Sequence, residues 1–149
     1  MNETRWNAAC LVFHGNILVS GGNDNNDFTL KSVELYDVFA NKWSSMPNMV
    51  KSHDDHGLLV VKNKLFVIGY GNNNCEVFDN VCKKFIALKS PNSFIYLNKA
   101  VDIGNKIAIF QDSEPLLICY DVDKDEWSEE PCEVTKNLEN FSCVKLPWY

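Results

Sequence analysis

Three tandem copies of one pattern, each readable as four short strands, predict an all-β chain of four-stranded sheets stacked side by side as propeller blades. Two further observations agree. Asp37, Asp79 and Asp121 stand 42 residues apart, and the aromatic residues that follow them, Trp43, Phe85 and Trp127, keep the same step. No run of helical periodicity exceeds a turn or two, whereas β-branched and aromatic runs bounded by Asn, Gly, Asp and Lys recur throughout.

The elements follow in order. The first repeat, residues 6–49, opens with a strand over 8–13, turns at Gly15-Asn16 and continues through Ile17-Leu18-Val19-Ser20. It carries six extra residues between Gly21-Gly22 and Tyr36-Asp37, because its second strand lies 48 rather than 42 residues before the second copy, Asn63-Lys64-Leu65-Phe66-Val67-Ile68. The second repeat, residues 55–90, reads as strands at 57–61, 65–68, 75–79 and 85–88 with a tight turn at Asn63-Lys64. The third, residues 98–132, repeats Asn63-Lys64 as Asn105-Lys106 and ends on Tyr120-Asp121 and Trp127. Ser142-Cys143-Val144-Lys145-Leu146 stands 42 residues beyond the start of the third copy and predicts one extra C-terminal strand, about 141–147. Three blades do not close a ring comfortably, since propellers have about 4–8, so the ring is expected to be incomplete in residues 1–149.

Composition narrows the function classes. A net charge of −6 argues against a nucleic-acid groove or an anionic membrane surface, both of which want clustered positive charge. No segment reaches the roughly 20 apolar residues of a spanning helix. The opening Met1-Asn2-Glu3-Thr4-Arg5-Trp6 lacks the features of an export signal. The cysteines, at 10, 75, 82, 119, 132 and 143, form no CxxC pair and mostly sit in apolar alternating runs. They are expected to be free thiols, and the location cytoplasmic.

Gly-Gly after the second strand, Tyr-Asp ending the third and Trp in the fourth resemble the kelch repeat. Gly21, Gly22, Tyr36, Asp37 and Trp43 give the full set in the first copy. In the second, Gly69 with Gly71 blurs the double glycine, and Phe78, Asp79 and Phe85 follow. In the third, Gln111-Asp112 replaces the glycines, while Tyr120, Asp121 and Trp127 remain. These residues read as structural: large aromatics fill the gap between sheets, and paired glycines permit positive φ and close backbone approach. The chain is similar to the C-terminal half of the kelch propeller of BTB-kelch (kelch-like) proteins. That resemblance implies a substrate-capturing module of a Cullin-3 type ubiquitin ligase, or an actin or cytoskeletal partner as the alternative. It also implies that the extra strand closes a blade.

Function in a propeller sits on its loops. Asn23, Asp24, Asn25 and Asp27 occupy the longest one, readable either as a recognition loop or as a solvated Asn/Asp turn. Asn72 and Asn73, with Asp112 and Glu114, take the matching place in the other repeats. Together they predict an Asn/Asp-rich face suited to a basic or polar peptide. Lys51, His53, Asp54 and Asp55, with His56, form the connection between the first two repeats. Two imidazoles and two carboxylates there suggest a divalent ion, but His-x-x-His supplies only two ligands in a loop, so the segment is read as a polar connection and a binding candidate. No nucleophile elbow, phosphate loop or Cys–His pairing is visible, and no metal, cofactor or catalytic residue is assigned. A copper oxidase-like kelch enzyme, using His14, His53 and His56, is the remaining alternative. The expected partner is a protein, with self-association through open blade edges as a second possibility.

Overall fold

The computed structural model describes residues 1–70, 73–95, 100–110 and 116–132. Among them the strands are β1 (Ala9–Phe13), β2 (Asn16–Ser20), β3 (Val33–Asp37), β4 (Lys42–Met46), β5 (Gly57–Val61), β6 (Lys64–Ile68), β7 (Cys75–Asp79), β8 (Lys84–Ala87), β9 (Ala100–Asp102), β10 (Lys106–Phe110), β11 (Leu116–Asp121) and β12 (Glu126–Pro131). They form three antiparallel four-stranded sheets, β1-β2-β3-β4, β5-β6-β7-β8 and β9-β10-β11-β12, each ordered as in the sequence. The strand expected over 141–147 lies outside the described residues.

Alternation sends successive side chains to opposite faces of a sheet, so each sheet has an apolar set on both sides. Leu18, Val33 and Phe13 from the first sheet meet Leu65, Val67, Phe78 and Phe85 from the second. The other face of the second, with Phe66, Ile68 and Cys75, meets Ile107, Ile109, Ile118 and Tyr120 of the third. Leu18, Leu65, Ile68, Ile107, Ile109 and Ile118 are fully buried, so the core is two seams rather than one centre. The outward-facing set of the first sheet is more open: Val12 is 71% and Ile17 40% exposed, where the aligned Leu65 and Ile107 are 0%.

The repeated aromatics pair across the two outer strands. Ring centroids lie 5.1 Å apart for Tyr36–Trp43, 5.0 Å for Phe78–Phe85 and 4.9 Å for Tyr120–Trp127. The repeated aspartates have a local job. Asp37 Oδ1 accepts the amides of Phe39 and Ala40, Asp79 Oδ1 those of Val81 and Cys82, and Asp121 Oδ1 those of Asp123 and Lys124. Each closes the hairpin between a third and a fourth strand. Gly21 and Gly22 adopt φ of +56° and +84°, and a Cβ would stand 2.2 Å from the His53 carbonyl oxygen and 2.5 Å from that of Trp6. Only glycine fits there.

Candidate binding face

The connection Lys51–His56 and the long loop Asn23–Leu30 lie together at the seam between the first two sheets. Two backbone bonds fasten His53 to the base of the long loop, Gly22 N–H to the His53 carbonyl at 2.8 Å and His53 N–H to that of Leu30 at 3.1 Å, and the loop closes on itself through Leu30 N–H to the Gly22 carbonyl at 2.8 Å. The N-terminal segment adds a third piece. Trp6 and Asn23 exchange backbone hydrogen bonds at 3.0 and 2.8 Å, and the Trp6 indole N–H reaches the Asp24 carbonyl at 3.2 Å. Within the long loop the Asp24 carboxylate accepts the amides of Asn26 and Phe28, and Thr29 donates to the Asn23 side chain.

Beneath this surface is a buried polar anchor. Glu76, fully buried on β7, accepts Val50 N–H at 2.7 Å, Lys51 N–H at 2.8 Å and the His53 Nε2 at 3.0 Å. Burial alone would raise its pKa, but the His53 hydrogen bond and the two amides outweigh it and hold the carboxyl below its ordinary value. His56, also buried, sits 2.7 Å from the Ser20 hydroxyl, and the two imidazole rings are 5.6 Å apart.

The anticipated site residues divide into two groups. Asn25, Asp27, Lys51 and Asp55 are exposed, and Asp24 and Asp54 half-buried, on this composite surface. Asn23 and His53 are buried, at 5% and 2% exposure, and act as fasteners beneath it, so their side chains do not face a partner. Asn73 is buried as well: its Nδ2 donates to the Ser93 carbonyl at 2.8 Å and its Oδ1 accepts Ile95 N–H at 2.7 Å, which secures the second connection. The loop readings for Asn23, His53 and Asn73 are corrected accordingly: each folds inward onto a partner, the Thr29 and Asp54 side chains for Asn23, the Glu76 carboxylate for His53 and adjoining backbone for Asn73. Asn72, Asp112 and Glu114 lie outside the described residues.

Several residues that sequence reasoning passed over matter here. Arg5, with its guanidinium buried, bonds the carbonyls of Gly21 and Ser32 and pairs with Glu34 at 3.1 Å, doing for the first sheet what His53 does for the second. Trp6 and Phe28 present large aromatic surfaces on the face, 50% and 69% exposed. Among the described residues no group of three or more His, Cys, Asp or Glu is arranged to hold a metal. Cys10, Cys75, Cys82, Cys119 and Cys132 are free thiols, and burial pushes Cys75 up to about 11. No described helix is long and apolar enough to cross a membrane.

Comparison with known proteins agrees with the repeat and the fold. The Kelch motif family model matches residues 5–50, the first sheet with its entry segment and long loop. Kelch-like protein 7 of Rattus norvegicus is 37% identical over 60 residues, covering 40% of this chain and 10% of that protein. Kelch-like protein 35 of Mus musculus is 25% identical over 150 residues, covering 91% of this chain and 26% of its own length. The chain thus spans a minor part of these relatives. Among solved structures, that of YjhT superposes with a TM-score of 0.69 at 15% identity, over 89% of this chain and 54% of the other, which supports the fold. With the repeated Tyr/Phe-Asp hairpins, the double glycine and the three stacked sheets, the chain carries a Kelch motif over residues 5–50 and resembles the kelch-like proteins.

Proposed function

We propose that the chain is a protein-interaction module that receives its partner on the face built from the long loop, the Lys51–His56 connection and Trp6. One observation carries this reading: three separate segments are tied into a single surface by backbone hydrogen bonds, and that surface exposes two large aromatics, Trp6 and Phe28, beside Asp27 and Asp55. Rigidly held aromatics supply contact area at low ordering cost, and the carboxylates favour a polar or basic segment. The resemblance to kelch-like proteins points to substrate capture for a Cullin-3 type ubiquitin ligase within a longer BTB-kelch protein, acting in the cytoplasm and not as an enzyme. Actin or cytoskeletal binding is the alternative from the same resemblance. The test is affinity capture from cytoplasmic lysate by the parent chain beside a variant carrying Asn25→Ala, Asp27→Ala and Phe28→Ala, followed by direct binding of the purified captured protein. A defined protein that binds the parent directly and the variant at least tenfold more weakly supports the face. Equal binding to both refutes it. Co-sedimentation with actin filaments selects the alternative, and one equivalent of bound copper by elemental analysis selects an oxidase.

A further inference from the structure

The repeat places three different pairs at one structural position. In the first sheet Glu34 pairs with Arg5; in the second Glu76 pairs with His53; in the third Ile118 and Ile95 stand 42 residues beyond Glu76 and His53, both fully buried. The seam beneath the candidate face is therefore the one whose buried carboxylate is met by an imidazole. His53 also carries the backbone bonds to Gly22 and Leu30 that hold the long loop.

Three residues on, His56 occupies a slot with no room for a second proton. It is 3% exposed, its Nε2 is engaged with Ser20, and its Nδ1 has no hydrogen-bond partner. Its Cε1 packs against Gly21, within 2.8 Å of where a Cβ would stand. The titratable groups facing it are His53, on the same connection, and Glu76, from β7. Ser20 and Gly21, from β2 and its end, bring no charge, while Asp54 and Asp55 bond Asn23 and Asn7 instead. An imidazolium carries N–H on both nitrogens, so the charged ring would bury an N–H without an acceptor. Burial, then the neighbouring His53, holds the pKa down to about 3, with Glu76 opposing.

We propose that this histidine pair is an acid-sensitive latch on the binding face: as pH falls below neutral, protonation expels the His56 ring from its slot, and the Lys51–His56 connection and the long loop come away together. The latch concerns regulation of the face and rests on the reading of that face as a binding surface. In the open connection His56 regains its ordinary value of 6.5, so the opening equilibrium rises about tenfold between pH 7.5 and 5.5.

The test is amide hydrogen exchange on the whole chain at those two pH values, corrected for intrinsic rates. Opening at the Gly22 and His53 amides should rise about tenfold, while amides in the β10–β11 ladder stay unchanged, and His56→Gln should abolish the rise. An unchanged opening at Gly22 and His53, or an equal rise in His56→Gln, overturns the proposal. Should His56→Gln fail to fold, an imidazole titration by NMR on the unaltered chain decides: no titration of His56 above pH 5 upholds the latch, and titration near 6.5 in the folded chain overturns it. No partner enters these measurements, so the latch can fail with the binding reading intact, and capture can fail with the latch intact.

Discussion

Replacing Glu76 by Gln tests whether a single carboxylate fastens the first connection. Three donors converge on it, at 2.7, 2.8 and 3.0 Å, and the group is fully buried. A glutamine keeps one carbonyl oxygen, which accepts two of them at neutral strength, and turns an NH₂ toward the third. Exchanging two charge-assisted bonds for neutral ones costs about 1 kcal/mol each, and a buried donor left opposed costs about 1–3 more, giving about 3–5 kcal/mol in all. Copying the third sheet with Glu76→Ile and His53→Ile should not recover the loss. In that sheet Ser93 N–H, the counterpart of Lys51 N–H, is taken up by Glu129, whereas the double variant leaves the Val50 and Lys51 amides without acceptors. Urea unfolding at pH 7, followed by far-UV circular dichroism, measures the difference. The pH dependence fixes the sign. Because the folded-state pKa of Glu76 is lowered, its contribution is fully present above the ordinary 4.5 and is lost as pH falls through the folded value. The gap between parent and Glu76→Gln should therefore close in acid. A difference below about 0.5 kcal/mol at pH 7, within the usual range of an inconsequential surface change, or a gap that does not narrow as pH falls below 4.5, would refute the reasoning.

Two further outcomes follow from backbone and core geometry. Gly22→Ala places a Cβ 2.5 Å from the Trp6 carbonyl oxygen at a φ of +84°, and should cost at least about 2 kcal/mol, read as a lowered thermal midpoint. Leu65→Ala, at a fully buried position, should cost about 2–5 kcal/mol, whereas Val12→Ala, 71% exposed at the free face of the first sheet, should stay within about 0.5 kcal/mol in denaturant titrations.

The fold was legible because its signals are local. Hairpins between Phe13 and Asn16, and between Val61 and Lys64, follow from residues a few positions apart, and the 42-residue step makes each repeat a check on the others. The binding face was legible only in outline. Asn and Asp in a loop mark solvent in most settings, yet Asn23 turns inward onto the Thr29 and Asp54 side chains and Asn73 onto the backbone of Ser93 and Ile95, partners that the residues flanking them do not reveal. His53 and His56 looked like a polar connection for the same reason. The missing signal was Glu34 and Glu76, which share one repeat position: a carboxylate on an inward-facing strand site has to have a donor. Its donors sit 23 or more residues upstream, and Arg5 and His53 are recognisable as them only by applying the repeat step to the loops as well as to the strands. Trp6 and Phe28 carry no positional signal; only the folded loops reveal that they stand outside.

The way the connections are fastened also bears on how the chain assembles. Each sheet is complete within one contiguous stretch, so its pairing is short-range and needs little loop closure. Part of what holds a connection, however, belongs to the sheet that follows it: Glu76 reaches back to Val50 and Lys51, and the Trp127 indole N–H to the carbonyl of Lys89. A sheet emerging from synthesis therefore leaves the connection behind it only partly fastened until the next sheet forms and draws it tight. In such a nearest-neighbour array the members are unequal. Damage to an outer sheet loosens one seam, while damage to the middle one, which alone contributes to both apolar clusters, releases the other two sheets from each other at once.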